Sequence, residues 1–271
     1  MEGRIITLES TSIAEYMAIS ETLQESVGRG YPVTIFLASG WQRKGVSIGE
    51  RQKIGYVNLE ACREDSLEVV RRPTEGYAVI HNVDDVAYGI VIPKQHVRSK
   101  RDLDSRLFPI VVRSLERVGV PNGYDPFPEG YGNIFVNGRK ISGSAQNTVT
   151  PNGQTWLQHG IIAMRRHDAG DYVRYTNGER DVVKMQAQMT SVEEEGGIAD
   201  SNKLVLAMAE EFVRQLLEFG IEMKSSSLSK EELGYAEKLV RAKYEDEEWL
   251  LSGTGNLDKS ERVECFVGWK N

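Results

Sequence analysis

The run Val136-Asn137-Gly138-Arg139-Lys140-Ile141-Ser142-Gly143-Ser144-Ala145-Gln146 places one lysine between two glycines, on a strand that leaves a tight turn. An ammonium fixed there by stiff backbone can meet an anion. Taken by itself the run also reads as a β-hairpin, with an Asn137-Gly138 turn and a solvated Arg139-Lys140 pair. Its company adds chemistry. Upstream lies Arg71-Arg72-Pro73-Thr74-Glu75-Gly76-Tyr77-Ala78-Val79-Ile80-His81, and downstream Leu157-Gln158-His159-Gly160. Guanidinium groups, a hydroxyl, an ammonium and two imidazoles thus fall at the edges of predicted strands, where a cleft in a sheet would collect them.

Several elements must hold these groups. Ser12-Ile13-Ala14-Glu15 is a capping-box pattern, and Ile13, Tyr16, Met17, Ser20 and Leu23 follow at helical spacing until Gly28 and Gly30 stop the helix. Short strands are expected over 33–37 and 46–49, and a helix over 59–65 with Asn58 as its cap. Three β-branched runs at 67–72, 77–82 and 86–92 predict neighbouring strands. A second packed helix is expected over 103–118, with Pro109 tolerated only near its first turn. The Pro- and Gly-rich loop 121–132 leads into strands at 133–136, 140–142 and 156–164, whereas 176–200 reads as polar and mobile. The last third is helical, with a helix capped at Ser201-Asn202 and another opened by Ser229-Lys230-Glu231-Glu232, joined by a Ser225-Ser226-Ser227 linker. The expected division is a catalytic unit over 1–222 and a helical tail over 223–271 packed on it.

The 271 residues carry a formal net charge of -7 with 40% hydrophobic and 27% charged residues. That balance suits a globular protein and argues against a nucleic-acid partner bound through a general basic field. Cys62 and Cys265 lack metal-ligand spacing, and His81, His96, His159 and His167 form no zinc motif, so no metal site is expected from them. No signal peptide or long apolar run is evident, so a cytoplasmic location without membrane association is expected.

With these segments placed, the chain resembles the lipoate-protein ligase and octanoyltransferase family, which shares its catalytic fold with biotin protein ligases. The resemblance rests on Tyr16-Met17-Ala18-Ile19-Ser20-Glu21, Gly40-Trp41, Val46-Ser47-Ile48-Gly49 with Gln52, the arginine segment ending at His81, the glycine-flanked lysine run, Leu157-Gln158-His159-Gly160, and Leu228-Ser229-Lys230-Glu231-Glu232 leading to Lys243-Tyr244 and Trp249. It implies an α+β fold in which a mixed or antiparallel β-sheet core is flanked by helices. It also implies transfer of a lipoyl or octanoyl group to a lysine of a lipoyl carrier domain, in a 2-oxoacid dehydrogenase acyltransferase subunit or a glycine-cleavage H-like protein. Ligases of the family activate free lipoate with ATP and Mg2+ to an acyl-adenylate, and one branch of octanoyltransferases takes the acyl group from carrier protein through a loop cysteine. Here that loop reads Asn122-Gly123-Tyr124-Asp125-Pro126-Phe127-Pro128, without cysteine, so the ATP-dependent ligase is the leading expectation. A transferase or amidotransferase independent of ATP is the first alternative, and a non-catalytic member that binds a partner is the second.

By the same resemblance Lys140 is the catalytic cation, set beside the acyl carbonyl and the α-phosphate. Arg71, Arg72, Thr74, Gly76, Tyr77, His81, Asn133, Gly138, Ser142, Gly143, Ser144, Ala145, His159 and Gly160 are the expected substrate- and nucleotide-binding residues. Val79, Ile141 and Ile161 alternate as core strand residues do and could also line an acyl channel. The chain departs from the family in having Glu75-Gly76-Tyr77 in place of a glycine run and Asn133 in place of the usual Asp. It is closest to short ligases lacking the C-terminal accessory domain, so a separately encoded accessory subunit is an expected partner.

Overall fold

Ser12 caps α1 (Ile13–Gly28) as the sequence predicts, accepting from the Glu15 amide while Glu15 reaches back to the Ser12 amide. The computed structural model describes residues 1–121, 124, 132–147 and 154–253. Before α1 runs β1 (Glu2–Leu8), and after it come β2 (Val33–Ala38), β3 (Gly45–Ile48), α2 (Leu59–Glu64), β4 (Glu68–Arg71), β5 (Val79–His81), β6 (Val86–Pro93) and α3 (Lys100–Arg117). The second half holds β7 (Asn133–Val136), β8 (Arg139–Asn147), β9 (Thr155–Ile162), α4 (Ala169–Tyr175), α5 (Val182–Ala187), α6 (Ser201–Glu218), β10 (Glu222–Ser226), α7 (Lys230–Leu239) and α8 (Glu247–Ser252).

The main sheet is mixed, in the order β10-β1-β2-β6-β9-β8-β7, with its first three strands parallel and the rest antiparallel. Alternation along β2 sorts its side chains: Val33, Ile35 and Leu37 join the core under α3 and α6, whereas Phe36 and Ala38 face the α1 and α7 side. Each fully buried aliphatic or aromatic side chain there contributes roughly 1.5–3 kcal/mol. A second sheet, β4-β3-β5, closes over its own cluster of Val46, Ile48, Val57, Ile80 and Tyr175.

Four expectations are corrected. Pro109 sits deep inside α3, not in its first turn; both Pro109 and Ser105, whose carbonyl loses its helical donor, are on the solvent face, so water can fill the gap. Ser225 and Ser226 do not form a linker but belong to β10, which pairs with β1 in parallel. The long helix of the last third is capped by Asp200, one residue before Ser201-Asn202. The tract 176–200 is built into the fold: the Val192 amide donates to the Ala163 carbonyl at 2.9 Å, and Glu195 is buried against Thr190, Asn137 and Arg139. Partners on and beside the Asn137-Gly138 turn hold it there. The 121–132 loop, apart from Pro121, Tyr124 and Gly132, lies outside the described residues, as do Cys265 and the tail beyond Gly253.

Candidate active site

The Asn137-Gly138 turn has φ of 51° and 73°, the left-handed conformations a two-residue hairpin between twisted strands requires. It brings Arg139 opposite Val136 and sends Lys140 into a cavity of about 1360 Å³ between the main sheet and the smaller one. The Lys140 backbone is clamped between Gln188 and Thr190, its amide donating at 2.8 Å and its carbonyl accepting at 3.0 Å. Its side chain turns back along β8 to lie over Gly143, where a Cβ would come within 2.9 Å of Nζ and 3.4 Å of Asn133 Oδ1. Among the described residues the ammonium has no partner. The residue stays exposed at the cavity mouth, and partial desolvation of its ammonium, with the charge of Arg72 second, lowers its pKa from the ordinary lysine value.

Arg72 reaches the same cavity from the end of β4. Its guanidinium is buried, with Nη1 donating to the Ser47 carbonyl at 3.1 Å and Nη2 to the carbonyls of Glu75 at 2.7 Å and Tyr77 at 2.9 Å. Burial lowers its pKa to about 10. Gly76, at φ 106°, sits against Nη2, where a Cβ would lie 2.7 Å away. Glu75 and Tyr77 turn outward at the rim, Tyr77 with 84% of its surface exposed, and Glu75 faces Arg51 across 3.8 Å.

The two strand histidines sit behind these cations. His159 on β9 pairs its Nε2 with Thr74 Oγ1 at 2.7 Å, and His81 on β5 pairs its Nε2 with Ser47 Oγ at 2.8 Å. Burial, then the charge of Arg72, brings both imidazoles down to about 3, so they are neutral at physiological pH. Their rings pack with Tyr16 and Trp41: Trp41 meets His81 edge-on at 4.9 Å, and Tyr16 stacks on His159 at 6.2 Å. Tyr16 Oη, Trp41 Nε1 and the Nδ1 atoms of both histidines are buried without a hydrogen-bond partner among the described residues. Such atoms are unusual in a finished core and common where a ligand or water completes the site.

Asn133, Gly138, Ser142, Gly143, Ser144, Ala145 and Gly160 also line the cavity. Register puts Ala145 beside His159 and Gly143 beside Ile161 on one face. Ser142 pairs with Tyr88 Oη at 3.2 Å, and Ser144 accepts from Gln158 at 2.9 Å. Gly160 has a packing reason as well, since a Cβ there would come within 2.6 Å of the Tyr88 ring. Val79 and Ile161 line the wall too. Thr74 is fully buried and does not itself line the cavity, which it meets through its contact with His159.

Arg71 is not brought to this cavity. Successive strand residues point to opposite faces, so Arg72 toward the cavity sends Arg71 away. Its Nε, Nη1 and Nη2 donate to the carbonyls of Gly49, Glu50, Gln52, Trp249, Leu250 and Leu251 at 2.7–3.3 Å, while Trp249 Nε1 returns a bond to the Arg71 carbonyl at 3.0 Å. It fastens the end of α8 to β4. Cys62 is buried in the small-sheet core, where burial first and Asp65 second push its thiol up to about 11, away from any nucleophilic state.

Sequence reasoning missed Trp41 and Ser47 as wall residues, and also His167, Tyr172 and Arg180, which reach the cavity from beyond β9. For Ser47 the signal was a hydroxyl in an apolar strand. No group of three metal-binding side chains clusters among the described residues, and no helix among them is long and apolar enough to cross a membrane.

Residues 12–216 match the model of the lipoyl protein ligase A/B catalytic domain. The octanoyltransferase LipM of Carboxydothermus hydrogenoformans is 31% identical over 278 aligned positions, covering 92% of this chain and 98% of that protein. Its counterpart in Geobacillus kaustophilus is 27% identical, covering 86% and 92%. Among solved structures, a lipoate-protein ligase A bound with ATP superposes with a TM-score of 0.77 at 20% identity, covering 94% of this chain and all of that one. A bipartite lipoate protein ligase from Thermoplasma acidophilum gives 0.78 at 20% identity over 94% and 98%. At that identity the likeness is one of fold.

Proposed function

The chain belongs to the lipoyl protein ligase A/B catalytic-domain family, and from that premise we propose that it moves an octanoyl or lipoyl group from a carrier-protein thioester to the lysine of a lipoyl domain, without ATP. The carrying observation is the Lys140 ammonium, unpartnered among the described residues and held over Gly143 at the cavity. When an amine attacks a thioester carbonyl, negative charge develops on the carbonyl oxygen, and a fixed cation in a partly water-excluded site stabilises that charge. Lys140 supplies this cation. The neutral His81 and His159 add no competing positive charge, and the wall of Val79 and Ile161 gives the acyl chain an apolar surface.

Two observations favour direct transfer over adenylation. The relatives at 31% and 27% identity are octanoyltransferases, whereas the ligase structures, at 20%, share the fold alone. Arg72, the natural ligand for phosphate oxygens, already has both terminal nitrogens on backbone carbonyls. Cys62, the one cysteine among the described residues, is too buried and too poorly acidic to relay the acyl group, and in this reading the amine of the acceptor attacks the donor itself. The acceptor is the lipoyl domain of a 2-oxoacid dehydrogenase acyltransferase subunit or an H-like protein. Mass spectrometry of a lipoyl domain tests the reading with two arms, one holding octanoyl-carrier protein without nucleotide and the other free lipoate with ATP and Mg2+. The expected result is acylation in the first arm. Acylation confined to the second would replace this reading with the ATP-dependent ligase that the sequence suggested.

A further inference from the structure

The reaction proposed above produces a proton on the attacking nitrogen, and His81 and His159 are poor acceptors for it, with each Nε2 committed to a hydroxyl and each imidazole held neutral down to about 3. A third histidine lines the same cavity. His167 Nε2 lies 2.9 Å from Asp85 Oδ1, the carboxylate being fully buried and the imidazole keeping 9% of its side-chain surface. The second carboxylate oxygen accepts the Asn82 amide at 2.8 Å, and the Asp85 amide donates to the Asn82 carbonyl at 3.0 Å, so a tight turn fixes the acid. His167 Nδ1 has no hydrogen bond among the described residues. This is an imidazole oriented by a carboxylate through one nitrogen, with the other left for chemistry.

One segment ties the histidine to the lysine. Gln186 holds the His167 carbonyl at 3.0 Å, and two residues later the Gln188 carbonyl holds the Lys140 amide at 2.8 Å. From the other side, Ala163 donates to the Ile141 carbonyl at 3.0 Å, four residues before His167. We propose that His167, oriented by Asp85, is the proton acceptor for the attacking lysine amine, an inference that rests on the acyl-transfer reading. The amine nitrogen bonds to the acyl carbonyl carbon as the carbonyl π pair moves onto the oxygen beside Lys140. One N–H proton passes to His167 Nδ1. When the carbonyl re-forms, the donor's C–S bond breaks and the leaving thiolate takes that proton from the imidazolium, so that thioester and amine become amide and thiol.

The surroundings agree with this role. Burial lowers the His167 pKa, and the charge and hydrogen bond of Asp85, with Asp84 and Asp171, outweigh it and leave the imidazole above its ordinary value. Arg165 pairs with Asp84 and Lys44 with Asp171, so these two acids are partly compensated; Tyr172, Arg180 and the neutral His81 also line the cavity beside it.

The test compares wild type, His167→Gln and Asp85→Asn with an octanoyl thioester donor and two acceptors, a lipoyl domain and hydroxylamine, whose adduct is acidic enough to lose its proton to water. His167→Gln should lower transfer to the lipoyl domain by about 100-fold while hydroxamate formation stays within about twofold. Asp85→Asn should move the acid limb of the lipoyl-domain rate to lower pH, a shift that a merely structural ion pair would not give. Should His167→Gln fail to fold, as its melting curve would report, that limb decides. Unchanged lysine transfer with an unmoved limb, or equal loss with both acceptors in a folded variant, overturns the inference and leaves the acyl-transfer reading standing. A wild type inert toward both acceptors overturns the two together.

Discussion

The clasp around Arg71 and the cavity wall around Lys140 are made of the same kinds of atoms and end in opposite states. At the clasp every nitrogen of a buried guanidinium finds a carbonyl, and an indole returns a bond to the arginine's own carbonyl. At the wall an ammonium, a phenol, an indole and two imidazole nitrogens lie unpaired among the described residues. Burying a polar group without a partner costs stability, so the phenol, the indole and the imidazoles are tolerated at the cavity as they are not at the clasp, while the Lys140 ammonium stays open to solvent. The first region holds the molecule together, and the second keeps its hydrogen-bonding capacity for a guest.

If this division is right, substitutions should separate cleanly. The largest effect belongs to Lys140→Met, expected to lower acyl transfer by roughly 10²- to 10³-fold with the melting temperature hardly moved, because no protein partner is orphaned. Rate assays and thermal melts on one preparation read both quantities. Arg71→Met should do the reverse, removing about 3 kcal/mol of stability in urea unfolding by stranding carbonyls and loosening α8. Molecules still folded should transfer at near the native rate; a catalytic loss beyond the folded fraction would erase the contrast.

Acid should act through the wall. His81 and His159, held to about 3 in the fold against an ordinary 6.5, bind fewer protons than in the unfolded chain between those values. Stability therefore falls as pH drops through about 6.5 toward 3, by a few kcal/mol in order of magnitude. Asp104, pushed up to about 6 by burial against its bonds to Gln158 and Gln146, works in the opposite sense, as do the raised Asp85 and Glu50, so the histidine contribution is read as a difference between two proteins. Melting curves of a His81→Gln, His159→Gln double variant should show a shallower acid slope than wild type. Gly143→Ala sharpens the comparison further: the new methyl displaces the flexible end of Lys140, so transfer should drop about tenfold with little change in melting. The smallest effect is at the rim, where Glu75→Gln breaks only an exposed contact with Arg51 and should alter stability by less than about 0.5 kcal/mol.

Much of this was legible before the coordinates. Local signals carried the Ser12-Glu15 box, the Asn58 cap and the Asn137-Gly138 hairpin, since each is decided by neighbours in the chain. What failed was decided at a distance. The strand β10 has polar residues and a serine run, and only parallel pairing with β1 makes it a strand. Arg71 and Arg72 look equivalent as letters, although the period of two in a strand already required one of them to turn from the cavity. The tract 176–200 looked mobile because its charges seemed solvated; Arg139 and Asn137, remote in the chain, join Thr190 as partners for Glu195. Asp85 and His167, far apart in the chain, carry no shared motif.

The central claim is that the Lys140 ammonium meets the acyl oxygen. An isotope-labelled carbonyl in an unreactive ketone analogue of the octanoyl thioester reports this directly through its infrared stretching frequency. The frequency should fall when the analogue binds wild type and return toward its solution value on Lys140→Met. A bound carbonyl with the same frequency in both proteins would contradict the account.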